Sequence, residues 1–145
     1  MSFKLLIISR ILFLWLTALF HAMSLFAEPA PTNDTERQLL DLVTTYRMNA
    51  GAGFNPTWMD LFTALSTCFS LVCLFGGLLN LFLWRQQAED YLWRGVLNIE
   101  LVVYGIMLAV MARFTFLPPI VLSALIFLAV FLARIKIKPL KNAEV

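Results

Sequence analysis

Few side chains in this sequence could do chemistry, and their types narrow what that chemistry could be. There is one histidine, His21, and two cysteines, Cys68 and Cys73, with 9 carboxylates against 11 basic residues in 145. A nucleophile needs a base beside it, and that base needs an orienting group. A hydrolase would therefore have to assemble His21, Asp60 and a serine in space. No nucleophile elbow, HExxH metal motif or phosphate-cradling glycine loop marks such a site. Five helical positions hold the cysteine Cα atoms about 8 Å apart, too far for a disulfide within one helix. No histidine or carboxylate lies at ligand spacing around them. The expectation is a non-enzyme with no cofactor and no metal, and two thiols buried as small apolar groups.

What remains is a set of polar side chains inside apolar stretches. An ionisable group in a membrane is costly without a partner, so each is a functional candidate by default. The candidates are Arg10, His21, Asp60, Asn80, Asn98, Glu100, Tyr104 and Arg113. Counted from the ends of the stretches, they form two layers. Arg10, Asn80, Asn98 and Glu100 lie near one side, about 6 to 9 Å inside at ~1.5 Å per residue. His21, Asp60 and Arg113 lie near the other. Each layer offers one opposite-charge pair, Arg10 with Glu100 and Asp60 with Arg113. One reading makes these a proton or ion relay, or a polar pocket for a head group, since histidine exchanges protons near neutral pH. The other makes them structural clasps that fix helix register, with Arg10 extending its head group to the membrane boundary. Between the layers only Thr17, Ser66, Ser70, Cys73 and Tyr104 offer polar atoms. That is thin for a conduction path, and the clasp reading is preferred.

The elements that must position these groups are long apolar segments. The chain is 61% hydrophobic and 14% charged, where soluble domains carry about 25% charged residues. From Leu61 to Trp84, 24 residues pass without a charge, enough to cross a ~30 Å hydrocarbon core. Within that stretch Thr63, Ser66, Ser70, Cys73, Gly77 and Asn80 recur at alternating spacings of three and four, on one helix face. Small residues on one face let helices approach closely. Spans are expected at about 3–26, 58–84, 95–116 and 119–134. On the third, Gly105, Ala109 and Ala112 make another small-residue face, with Glu100 and Tyr104 on a different one. The fourth, opened by Pro118–Pro119, is almost wholly apolar and is expected to show most surface to lipid.

The first span admits a second interpretation. Lys4 and Arg10 could begin a secretory signal, with Ala22-Met23-Ser24 as its cleavage site. Arg10, Thr17, His21 and Ser24, however, share a helix face, which suits a retained helix better than a discarded one. Residues 28–57 form a polar loop. Asn33 and Glu36 make a capping-box-like start to a short helix, Leu39, Leu42, Val43 and Tyr46 give it an apolar stripe, and residues 48–53, with two glycines, end it. That stripe suits the membrane surface or the mouth of a bundle. With four spans, Lys4, Arg10, Arg85, Arg94, Arg134, Lys136, Lys138 and Lys141 fall on one side and Arg37, Arg47 and Arg113 on the other, eight against three. The side richer in basic residues is cytoplasmic, so both termini are expected there and the loop helix in the periplasm. The net charge of +2 sits at helix ends and leaves no nucleic-acid footprint.

Several short motifs resemble a family of small, uncharacterised bacterial four-helix membrane proteins. These are His21 late in the first helix, Trp58-Met59-Asp60-Leu61-Phe62, Gly77-Leu78-Leu79-Asn80, and the turn Phe114-Thr115-Phe116-Leu117-Pro118. The resemblance implies a retained first helix and one four-helix unit, with no settled activity to carry over. The expectation is an all-α, four-helix transmembrane bundle in a bacterial inner membrane. Its expected role is a non-catalytic accessory or scaffold that meets the lipid bilayer and another membrane protein or itself. The alternative is a binding or transport unit for a small lipid-like molecule or ion.

Overall fold

The computed structural model describes residues 2–27 and 30–137, so Lys138 and Lys141 of the charge count lie outside the described residues. Five helices follow in order: α1 (Phe3–Ser24), α2 (Asp34–Thr45), α3 (Trp58–Arg85), α4 (Asp90–Phe114) and α5 (Leu117–Lys136). All but α2 are long and apolar enough to cross a membrane. Among the described residues there is no strand, only an isolated antiparallel bridge between Arg47 and Thr57.

Two compact units divide the chain. The first joins the opening of α1 to the second half of α3, α4 and α5. Its core holds Leu6, Ile7, Leu14, Leu97, Ile126 and Val130, all essentially inaccessible. Burying such side chains is worth about 1.5–3 kcal/mol each in water. In a bilayer close packing replaces that driving force, and small contacts matter more. Gly76 and Gly77 supply two of them on α3. A Cβ on Gly76 would collide with the Tyr104 hydroxyl, and one on Gly77 with the Trp15 indole. Gly105 faces the Phe127 ring in the same way, at a looser 3.3 Å from an added Cβ.

The buried face of α4 is not the one read from small residues. Trp93, Leu97, Glu100 and Tyr104 are buried, at spacings of four, three and four, whereas Ala109 and Ala112 are exposed. One of these large side chains, Tyr104, fits because α3 brings Gly76 to it. The expectation for α5 is also overturned, since it buries Ser123, Ile126, Ala129, Val130 and Ala133. Of its most apolar window 28% is buried, against 17% for α4, so α4 shows more surface. Helix α4 also begins at Asp90, earlier than the expected start near 95.

The tight turn before α4 has one unusual residue. Gln87 adopts a left-handed conformation (φ +49°) directly after α3. It lets Ala88 N–H donate to Leu83 O (3.0 Å) and Gln87 N–H to Trp84 O (3.2 Å), closing the helix end. Glycine is the usual residue there, since a side chain costs roughly 1–2 kcal/mol in that region.

The second unit, Ala18–Val72, holds the end of α1, all of α2 and the start of α3. Asn33 caps α2 as expected, its side chain accepting from Glu36 N–H at 2.8 Å. The Glu36 carboxylate does not return to the backbone N–H of the cap residue. It accepts instead from the backbone N–H and hydroxyl of Thr32, both at 2.7 Å, one residue earlier. Helix α2 stops at Thr45, before the glycines, where the hydroxyls of Thr44 and Thr45 bond back to the carbonyls of Leu40 and Asp41. Gly51, Ala52 and Gly53 are successive left-handed residues in the following turn (φ +83°, +51° and +83°), which glycine alone adopts freely. The turn is closed by Ala50 N–H to Phe54 O and Met48 N–H to Pro56 O.

Candidate functional site

The densest polar constellation lies in the first unit, where α1, α3 and α4 each contribute one side chain. Arg10 is 0% exposed, Asn80 0% and Glu100 7%. Asn80 sits at the centre. Its Oδ1 accepts from Arg10 Nη2, and its amide donates to Glu100 Oε1 at 2.6 Å and to the Gly76 carbonyl of its own helix at 2.8 Å. Arg10 Nη1 lies 2.8 Å from Glu100 Oε2, a charge contact without the angular geometry of a hydrogen bond. Buried charges of opposite sign at this distance neutralise one another, which is the condition for keeping either inside. Trp93 completes the enclosure. Its ring centroid is 5.5 Å from the guanidinium carbon of Arg10, in cation–π contact, and Phe3 meets it edge-on at 5.8 Å. The Arg10 head group therefore does not reach for the membrane boundary. It is sealed among protein groups.

Tyr104 follows one turn along α4, 4% exposed, with its hydroxyl against Gly76. Asn98, expected in the same layer, lies on an exposed part of α4 and accepts from Arg134 Nε of α5 at 2.6 Å. This is a second link between helices, but outside the buried cluster.

The other expected layer is not assembled as a charge pair. Asp60 is exposed, and its carboxylate accepts from Thr57 N–H at 2.8 Å while Thr57 Oγ1 accepts from Asp60 N–H at 3.1 Å. That is a reciprocal capping box at the start of α3. Arg113 is exposed and lies over the Phe114 ring, 5.4 Å from its centroid. His21 is half-buried with its ring against Phe69, centroids 4.5 Å apart. Local partners thus hold Asp60 and Arg113, and a ring on α3 holds His21. The cysteines also differ from expectation: Cys73 is buried, but Cys68 is exposed.

Hydroxyls along the apolar helices are spent on their own backbones. Thr17 donates to Phe13 O (2.8 Å), Ser70 to Ser66 O (2.9 Å) and Ser123 to Pro119 O (2.8 Å). Such bonds satisfy the hydroxyl without offering it to a passing ion. Outside the apolar helices, the two Thr32 hydrogen bonds hold the Glu36 carboxyl below its usual range.

Sequence reasoning missed Trp93 as a wall of the cluster, although its seven-residue offset from Glu100 puts both on one face of α4. It also missed the Thr57-x-x-Asp60 box, whose pattern was readable. Comparison of the chain with family models, with curated proteins and with solved structures gives no match in any of the three, so the family resemblance rests on its short motifs alone.

Proposed function

We propose that this chain is a small multi-pass protein of the bacterial inner membrane that serves as a non-catalytic accessory or scaffold, binding another membrane protein or itself. The observation that carries the reading is the closed Arg10–Asn80–Glu100 cluster. A binding or conducting site keeps polar groups open to a ligand, whereas here each member is turned to another member and Trp93 covers Arg10. The backbone-bonded hydroxyls of Thr17, Ser70 and Ser123 support the same reading. So does the extent of exposed large apolar side chains on the four long helices, Leu65, Phe75, Ile99 and Ile106 among them, each more than 60% exposed. Lipid and partner helices are the surfaces that such residues suit. With α1 retained, the eight-to-three bias of basic residues supports an orientation with both termini in the cytoplasm and α2 in the periplasm. The Arg10–Glu100 contact supports retention of α1, since removing residues 1–24 would leave Glu100 buried without its cation.

Extraction in native-lipid particles tests the reading, with mass spectrometry and light scattering on the purified material. The expected result is an assembly larger than the 16.5 kDa chain, containing a second membrane protein or several copies, with an N-terminus that precedes Arg10. A lone monomer, or ion flux through proteoliposomes holding only this chain, contradicts it.

A further inference from the structure

The closed cluster has an open neighbour. Trp93 also lines a cleft of about 570 Å³, walled with it by Phe3 and Trp84 and bearing Lys4, Arg85 and Gln87. This volume is in the range of small-ligand sites. Three observations point to its occupant. Lys4 opens α1 and Arg85 ends α3, so both cations stand at the ends of apolar segments, where phospholipid head groups lie. Both are exposed, and among the described residues neither has a hydrogen bond or ion pair. Gln87 holds its left-handed backbone where glycine would be unstrained, and its side chain lines the same cleft. A strained non-glycine residue at a concave surface is a mark of function. Arg10 adds no charge here, since Glu100 neutralises it and Trp93 covers it.

We propose that this cleft binds the phosphate of an anionic phospholipid, with Lys4 and Arg85 neutralising it, Gln87 donating from its amide, and the aromatic walls packing on the glycerol and upper acyl carbons. The site rests on the membrane reading above and deepens it: the scaffold carries a preference for negatively charged lipid on the side where its basic residues gather. Each cation near an anionic surface contributes roughly five-fold in binding, so the pair supplies about 25-fold selectivity over zwitterionic lipid.

The test uses the full-length protein in vesicles. Flotation with neutral phosphatidylcholine vesicles comes first, then quenching of tryptophan fluorescence by brominated phosphatidylglycerol or brominated phosphatidylcholine. The expected result is flotation, with phosphatidylglycerol preferred about 25-fold. Lys4→Ala with Arg85→Ala brings the two lipids to near parity. Gln87→Gly relieves the backbone, so its thermal midpoint is equal or higher while its phosphatidylglycerol preference falls a few-fold; a purely structural Gln87 would leave lipid preference unmoved. Parity in the unaltered protein, or unchanged preference in either variant, overturns the proposal. Sodium phosphate that displaces phosphatidylglycerol at constant ionic strength makes the ligand a soluble anion and overturns the lipid assignment. Failure to float overturns the membrane reading itself, whereas flotation with parity overturns only the cleft.

Discussion

Glu100→Gln removes a charge and almost no volume, which makes it the sharpest probe of the buried cluster. The glutamine oxygen can accept from Asn80 or turn toward Arg10, but it can no longer neutralise a guanidinium that is 0% exposed. Breaking one side of a buried ion pair costs about 3–5 kcal/mol. A bilayer reference state gives a similar figure, since an unpaired arginine at a helix centre costs ~2.5–3.5 kcal/mol. Taking about 3 kcal/mol, the equilibrium between packed and separated helices shifts roughly 150-fold. Equilibrium unfolding in mixed micelles, followed by tryptophan fluorescence, reads this directly because Trp93 stacks on Arg10. Replacing both partners, Arg10→Met with Glu100→Leu, removes the unpaired charge and recovers part of the loss, since apolar replacements of buried pairs are often neutral, while Asn80 Oδ1 is left without its donor. A Glu100→Gln protein within about 0.5 kcal/mol of the parent, a shift typical of unremarkable surface changes, refutes the idea that the pair is enclosed.

The glycines of α3 should differ from each other. Gly76→Ala drives a methyl group into the hydroxyl of Tyr104, a rigid ring only 4% exposed, and is expected to cost about 1–3 kcal/mol in the same unfolding assay. Gly77→Ala meets Trp15, which is 37% exposed and free to swing outward, so the smaller loss belongs there. Asp60→Ala removes one half of the Thr57 box and should loosen the first turn of α3, seen as faster amide exchange at residues 58–61 with no change in ion flux. Glu36 gives a pH dependence. Its carboxyl is depressed in the folded state, so its contribution is complete above the unfolded pKa of ~4.3 and fades as pH falls through the lower folded value. Amide protection factors in α2, taken relative to the intrinsic exchange rate at each pH, should therefore fall below about pH 4, and Glu36→Gln should show that lower protection already at neutral pH.

How far the sequence could be read depended on whether a local or a distant partner settled each residue. The long apolar helices were legible because runs such as Leu61 to Trp84 carry no charge, and few other structures hide so many apolar residues. Arg10, Asn80 and Glu100 were legible for the opposite reason: a buried charge needs a partner, and these three lie at matching depths on three helices, although depth alone also admitted Asn98, which meets Arg134 instead. Asp60 misled because a carboxylate near a helix start has two outlets, a remote cation or its own first turn. Thr57, three residues before it, supplied the nearer one. The facing of α4 was not readable from its own small residues. Which face is buried depends on what the neighbours present, and Gly76 made room for Tyr104. The end of α2 was not legible from Gly51 and Gly53, because the helix stops earlier, where Tyr46 turns extended and its N–H closes on Leu42 O. The cleft beside Trp93 draws residues from α1, α3 and the turn at Gln87, so no single stretch announces it.

Carboxylate labelling tests enclosure most directly. Native membranes are treated in parallel with a water-soluble and a membrane-permeant carbodiimide, and each carboxylate is scored by peptide mass spectrometry. The account predicts that Glu89 and Asp90, exposed at the start of α4, react with the water-soluble reagent, that Glu100 reacts with neither, and that Arg10→Leu makes Glu100 reactive to the permeant one. Modification of Glu100 in the unaltered protein at the rate of Glu89 would place that carboxylate in an open cavity or in lipid and contradict the closed cluster.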